Sequence, residues 1–166
     1  MSEEELDRRI LEHLEPFTII LDIGCGDGHL VNALVAQKGC RVIGLDSSDH
    51  GFVEAKMAAH SHLVDCVECD ACQIAFRDGH FEAVILRFSL HHIEETQAAL
   101  KEIHRILAPG GKVLAGEWLV EKEDQPRDGC YRFTLAEIEQ LLQEAAFHQV
   151  EIDQVETNIV LAIAVK

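Results

Sequence analysis

The sequence predicts a doubly wound α/β fold, a seven-stranded, mostly parallel sheet between two helical layers in a three-layer αβα arrangement. Three observations carry that prediction. Short β-branched apolar runs alternate with segments of helical period. A glycine cluster, Gly24, Gly26 and Gly28, stands where a strand gives way to a helix. The chain closes on two apolar runs parted by Glu156, Thr157 and Asn158, too few residues for a crossover.

Residues 2–14 place Leu6, Ile10, Leu11 and Leu14 on one stripe, behind a Ser2 cap and three glutamates suited to a helix N-terminus, and Pro16 ends this leader helix. Residues 17–23 read as a strand buried on both faces. A helix over 29–37 carries Leu30, Val31, Leu34 and Val35, Gly39 closes it, and a strand over 41–45 completes a parallel crossover unit. A helix over 51–59 and strands over 63–68 and 81–87 continue the alternation, the last strand introduced by Asp78 and Gly79. A helix over 94–107 buries Leu100, Ile103, Ile106 and Leu107, and Pro109, Gly110 and Gly111 stop it before a strand over 112–119. A polar loop over 121–132 and a helix over 134–146 precede strands over 150–155 and 159–165, which should be antiparallel neighbours.

At 166 residues the chain has the length of one domain, 1–166, with residues 1–15 as its leader helix and no separate substrate domain. A 48% hydrophobic composition with three prolines is that of a packed protein. Fourteen Lys and Arg against 30 Asp and Glu give a formal net charge of -16, which repels polyanions and anionic surfaces, so neither nucleic acid nor a membrane is expected as a partner. No run approaches the roughly 20 apolar residues of a membrane span. The charged N-terminus lacks the apolar run of a signal peptide, and a cytoplasmic location is expected. The six cysteines then read as reduced thiols. Cys66, Cys69 and Cys72 are spaced like metal ligands, with His60 and His62 as distant additions. The odd separation of Cys66 and Cys69 on a strand sends them to opposite faces, so small buried thiols, and no metal, are the expectation.

The strand, glycine turn and helix bring backbone N–H groups and a helix N-terminus against a ligand. The dinucleotide fingerprint would place its third glycine at His29 and makes no call on Asp22. The segment IILDIGCGDG, residues 19–28, instead resembles motif I of the class I S-adenosylmethionine-dependent methyltransferases, of the type 11-like, small-molecule kind, and the similarity runs from about residue 17 to residue 166. The resemblance implies a Rossmann-like sheet with a C-terminal antiparallel strand, a methyl-transferring enzyme and S-adenosylmethionine as its cofactor. It implies that Gly24, Cys25, Gly26 and Gly28 pass under the methionine and ribose part, and that Asp22 holds the turn and the ligand's amino end. It further implies that Asp46, with Ser47, meets the ribose hydroxyls, that Asp70 and the N–H of Ala71 serve the adenine, and that Arg87, Phe88 and Ser89 lie beside the cofactor. The residue types suit these roles: a carboxylate offers two acceptors to two neighbouring donors, and glycine admits close backbone approach. Read alone, Asp46 is also a helix cap and Asp70 a turn former.

A base is needed only when the methyl acceptor starts protonated; His91 and His92, just past the fourth strand, are the catalytic candidates, with packing or capping as the plain alternative. The Asn or Asp, Pro, Pro, aromatic run of amino-methylating relatives is replaced by Arg87, Phe88, Ser89 and Leu90, which argues against DNA bases and protein amides. A small-molecule acceptor is expected, with Trp118, Tyr131, Arg132 and Phe133 placed to line its pocket or join the core. So few added helices leave that pocket open to a bulky acceptor, a partner protein, or the second subunit of a homodimer, and the sequence does not choose. A non-catalytic cofactor-binding or scaffold protein of the same fold, and more remotely an NAD-dependent oxidoreductase, are the competing functions.

Overall fold

The computed structural model describes residues 2–47, 62–120 and 131–166. The helix expected over 51–59 and nearly all of the loop expected over 121–132 lie outside the described residues. The chain begins with α1 (Ser2–Glu12), β1 (Ile19–Ile23), α2 (His29–Lys38) and β2 (Arg41–Asp46). It continues with β3 (Val64–Glu68), β4 (Phe81–Arg87), a 3-10 turn at Leu90–His92, α3 (Thr96–Ile106) and β5 (Leu107–Trp118). It ends with α4 (Leu135–Glu144), β6 (His148–Glu156) and β7 (Ile159–Val165).

The strands form one sheet in the order β3-β2-β1-β4-β5-β7-β6. Neighbours from β3 across to β5 pair in parallel, and β7 is antiparallel to both β5 and β6. The chain starts mid-sheet, works out to β3, and returns to the other side of β1 with β4. Strand order therefore reverses between β1 and β4, and it is outside the carboxyl ends at such a switch point that open α/β sheets bind ligands.

Strand alternation divides the core into two layers. Ile20, Val42, Ile85 and Leu114 pack with Leu6 and Ile10 of α1 and Leu30 and Leu34 of α2. Leu21, Ile43, Val84 and Val113 pack with Leu100 and Ile103 of α3 and Ile138 and Leu142 of α4. Leu6 and Ile10 are fully buried, and each such side chain contributes about 1.5–3 kcal/mol of apolar transfer. A Cβ on Gly116 of β5 would lie 2.7 Å from Leu6 Cδ2, so that glycine is the seat of α1. By the same parity Asp22 shares the face of Ile20, and Arg87 that of Ile85. Both side chains belong to the α1 and α2 side. Cys66 packs in that layer while Cys69 and Cys72, both past the end of β3, pack in the other, and all three are partly rather than fully buried.

The expected strand over 112–119 instead begins at Leu107. Leu107 already pairs with Phe81, and Pro109, Gly110 and Gly111 form an irregularity before Ala83 meets Lys112. Lys166 closes it: Gly110 N–H donates to the Lys166 carbonyl at 3.3 Å, and Lys166 N–H donates to the Gly111 carbonyl at 2.9 Å. The helix expected over 94–107 is shortened to Thr96–Ile106, because the 3-10 turn and the following extended residue Ile93 intervene after β4. Thr134 caps α4 in a reciprocal capping box with Glu137, and the helix stops before Ala146, which has a φ of 68°. Among the described residues no helix is long and apolar enough to cross a membrane, and no group of three or more metal-ligating side chains assembles.

Candidate active site

β1 delivers the glycine turn to the switch point. Gly24, Gly26 and Gly28 have φ of 75°, 50° and 77°, a region costly for residues with a Cβ. Gly24 N–H donates to the Leu45 carbonyl at 2.7 Å, and a Cβ on Gly24 would stand 2.5 Å from Ser89 Cβ. Ser89 Oγ donates to the Ile23 carbonyl at 2.6 Å, so the turns after β1 and β4 are locked together. Asp27 Oδ1 accepts from His29 N–H at 3.0 Å, which assigns that carboxylate to the start of α2. The Cys25 thiol is buried near Gly44, where an added Cβ would lie 2.7 Å from its sulfur, and burial pushes its pKa up to about 12. It is a packing thiol rather than a nucleophile.

Asp22, two residues ahead of the turn, is 2% exposed, and among the described residues its Oδ1 has no hydrogen-bond partner. Burial pushes its pKa up to about 7; the positive charge of Arg87 opposes the rise, and Asp7 and Asp46 add to it. An unpartnered buried carboxylate oxygen is costly to maintain in the folded chain and marks a place for a donor.

A cleft of about 650 Å³ opens at the carboxyl ends of β1, β2, β3 and β4, within the range of small-ligand sites. Of the residues singled out from the sequence, Gly24, Asp46, Ser47, Asp70, Ala71, Phe88, Ser89 and His92 line it, joined by Cys69 and Cys72. Asp22, Cys25, Gly26 and Gly28 build the turn behind it without lining it. Asp70 keeps its plain role as well, since its Oδ1 accepts from Cys72 N–H at 2.8 Å.

Arg87 departs from the expectation that it lies beside the ligand. Its Nη2 donates to Glu3 Oε2 at 3.0 Å, and its Nε pairs with Asp7 Oδ1, so the guanidinium clamps α1 to the end of β4. Strand parity is the reason, because Arg87 falls on the α1 side. The same Asp7 lies 3.6 Å from His29 Nε2. Phe88 adopts a φ of 52°, a conformation costing on the order of 1–3 kcal/mol. It is held by stacking on Trp118 at 5.1 Å between ring centroids and by its N–H donating to the Gly116 carbonyl at 2.8 Å.

A second cavity of about 460 Å³ is lined by His91, His92, Ile93, Glu94, Thr96, Tyr131 and Phe133, and shares His92, Ile93 and Glu94 with the cleft. His92 thus stands at the junction of the two spaces, while His91 borders the smaller one alone. Here the structure adds a residue the sequence reading missed. Glu117 of β5, fully buried, has its Oε2 2.7 Å from His91 Nδ1, and its Oε1 accepts from Leu90 N–H at 2.8 Å. A lone carboxylate in the apolar run 113–118 was the available signal.

A family model described as Methyltransferase domain matches residues 21–115, from the β1 strand through the middle of β5. The chain belongs to this methyltransferase family. Among curated relatives, Probable tRNA methyltransferase 9B of Homo sapiens is 32% identical over 123 residues, covering 71% of this chain and 25% of the relative. Sterol 24-C-methyltransferase ERG6 of Saccharomyces cerevisiae is 29% identical over 125 residues, covering 73% of this chain and 33% of the relative. The methyltransferase chain therefore spans a quarter to a third of the length of these relatives. In fold it resembles the SAM dependent methyltransferase from Aquifex aeolicus, with a TM-score of 0.84 at 20% identity over 99% of this chain and 92% of that one. The observed order, with β7 inserted antiparallel between β5 and β6, is the C-terminal departure that the family resemblance implied.

Proposed function

We propose that the chain binds S-adenosylmethionine in the 650 Å³ cleft and catalyses methyl transfer to a small-molecule acceptor held in the adjoining 460 Å³ cavity. The observation that carries this reading is the switch-point cleft, which gathers Gly24, Asp46 and Asp70 near the buried Asp22, whose Oδ1 has no hydrogen-bond partner among the described residues. These residues fit the cofactor. Asp22 Oδ1 is an acceptor for its ammonium group, Gly24 leaves the backbone open to close approach, Asp46 suits the ribose hydroxyl pair, and Asp70 with the Ala71 N–H suits the adenine edge.

When bound, the cofactor supplies a methyl group activated by its sulfonium: the acceptor's lone pair takes the carbon while the carbon–sulfur pair stays on sulfur. The chain's own work is alignment and the removal of water. The Ser89 to Ile23 bond and the Phe88 to Trp118 stack hold the β4 end rigid against the glycine turn. The relatives' names span tRNA and sterol substrates, so the acceptor is argued from this chain: a cavity of small-ligand size and a net charge of -16 that opposes polyanions.

Calorimetry should register binding of S-adenosylmethionine, weakened about 10- to 100-fold by Asp46→Ala through loss of charge-assisted hydrogen bonds. Transfer of labelled methyl groups to a cell extract should label the small-molecule fraction. Absence of cofactor binding would refute the reading, and label confined to tRNA would overturn the acceptor class.

A further inference from the structure

Glu117 stands in an otherwise apolar strand and is fully excluded from solvent. A carboxylate there costs several kcal/mol unless its oxygens are satisfied. One oxygen accepts from Leu90 N–H at 2.8 Å, and the other lies 2.7 Å from His91 Nδ1. The first bond ties the carboxylate of β5 to the 3-10 turn that carries both histidines. A carboxylate that accepts from Nδ1 places the hydrogen there and leaves the lone pair of the neutral ring on Nε2. Among the described residues Nε2 has no hydrogen-bond partner, and the ring borders the 460 Å³ cavity. Among the described residues the other titratable groups facing this space are His92, with its ring 4.0 Å from that of His91, Glu94, and Tyr131, whose hydroxyl donates to Glu137 Oε1 at 2.6 Å.

We propose that Glu117 is a positioning residue that holds His91 with Nδ1–H inward, so that Nε2 receives the proton of a hydroxyl or ammonium acceptor in the cavity. The proposal rests on the methyl-transfer reading and narrows its substrate class to nucleophiles that begin protonated. The bookkeeping of atoms is simple. The acceptor's O–H or N–H bond breaks and its proton moves to Nε2, the freed lone pair bonds to the methyl carbon, and the carbon–sulfur pair remains on sulfur. The imidazolium so formed lies against the Glu117 carboxylate and returns its proton to water after product leaves.

Histidine nitrogen NMR on the ligand-free chain, with His91→Gln for assignment, should show neutral His91 as the Nδ1–H tautomer; the Nε2–H tautomer would overturn the proposal. Transfer from S-adenosylmethionine to a panel of phenols, alcohols and primary amines should fall about 100-fold in kcat in Glu117→Gln and in His91→Gln. KM and cofactor affinity should stay at wild-type values, as a base acting only in the chemical step requires. Wild-type rates in both variants, or a wild-type chain that binds S-adenosylmethionine and methylates nothing in the panel, would overturn it. Should Glu117→Gln fail to fold, His91→Gln carries the kinetic test. Failure of the wild-type chain to bind S-adenosylmethionine would sink the methyl-transfer reading instead, and the tautomer would still decide whether the dyad exists.

Discussion

Asp22→Asn removes a buried titration while keeping the side chain's shape. In the cofactor-free chain burial holds the Asp22 pKa at about 7, against an ordinary 3.8. Between those values the folded state keeps a proton that the unfolded chain has released, so stability falls as pH rises through the window and levels off above about pH 7. The whole drop is of the order of 4 kcal/mol, at about 1.4 kcal/mol per pH unit separating the two states. Asparagine never ionises, so its variant lacks this drop. Urea denaturation at pH 5 and pH 8 should show Asp22→Asn gaining about 3 kcal/mol relative to wild type across that interval, read as a shift in midpoint at constant slope. Parallel pH dependence in the two proteins would refute the argument. Cofactor reverses the order. Wild-type affinity for S-adenosylmethionine should rise with pH as Asp22 loses its proton to become an acceptor for the ammonium, and Asp22→Asn should bind weakly at every pH.

Arg87→Gln should lower stability by about 2–4 kcal/mol, because it strands an Asp7 side chain that is only 9% exposed. Arg41→Gln, which breaks a pair with Asp65 in which both side chains are more than half exposed, should cost under about 1 kcal/mol. Equal melting temperatures for these two variants would contradict the clamp. Gly24→Ala should cost about 1–3 kcal/mol and abolish cofactor binding, through its φ of 75° and the contact with Ser89. Adding Ser89→Gly should recover part of the stability by removing the contact while leaving the backbone strain. Thr134→Ala should cost about 1 kcal/mol through the lost cap and leave cofactor affinity untouched, as calorimetry beside thermal denaturation would show.

What could be read from the sequence was what repeats locally. β4 and β7 fall on their expected bounds because each is an apolar run closed by residues that turn the chain, Asp78 and Gly79 before one, Glu156 to Asn158 before the other. Asp46 and Asp70, which line the cleft, were legible for a related reason: a parallel sheet carries the carboxyl ends of its strands to one edge, so a residue at or just past a strand end is already placed. Side-chain direction at those ends was harder. Arg87 ends its strand beside the cleft, yet one step of parity turns it to α1, where Asp7 lies 80 residues earlier in the chain. Glu117 shows the same limit from the other side. A carboxylate in an apolar run announces a buried partner, but nothing local identifies His91, 26 residues back on the neighbouring turn. Partners of buried charges are chosen by how strands and helices stack. In this chain the order that sets β4 beside β5 brings Glu117 to His91, and the helix packed on the β4 face brings Asp7 to Arg87, so both partnerships had to be read from the fold.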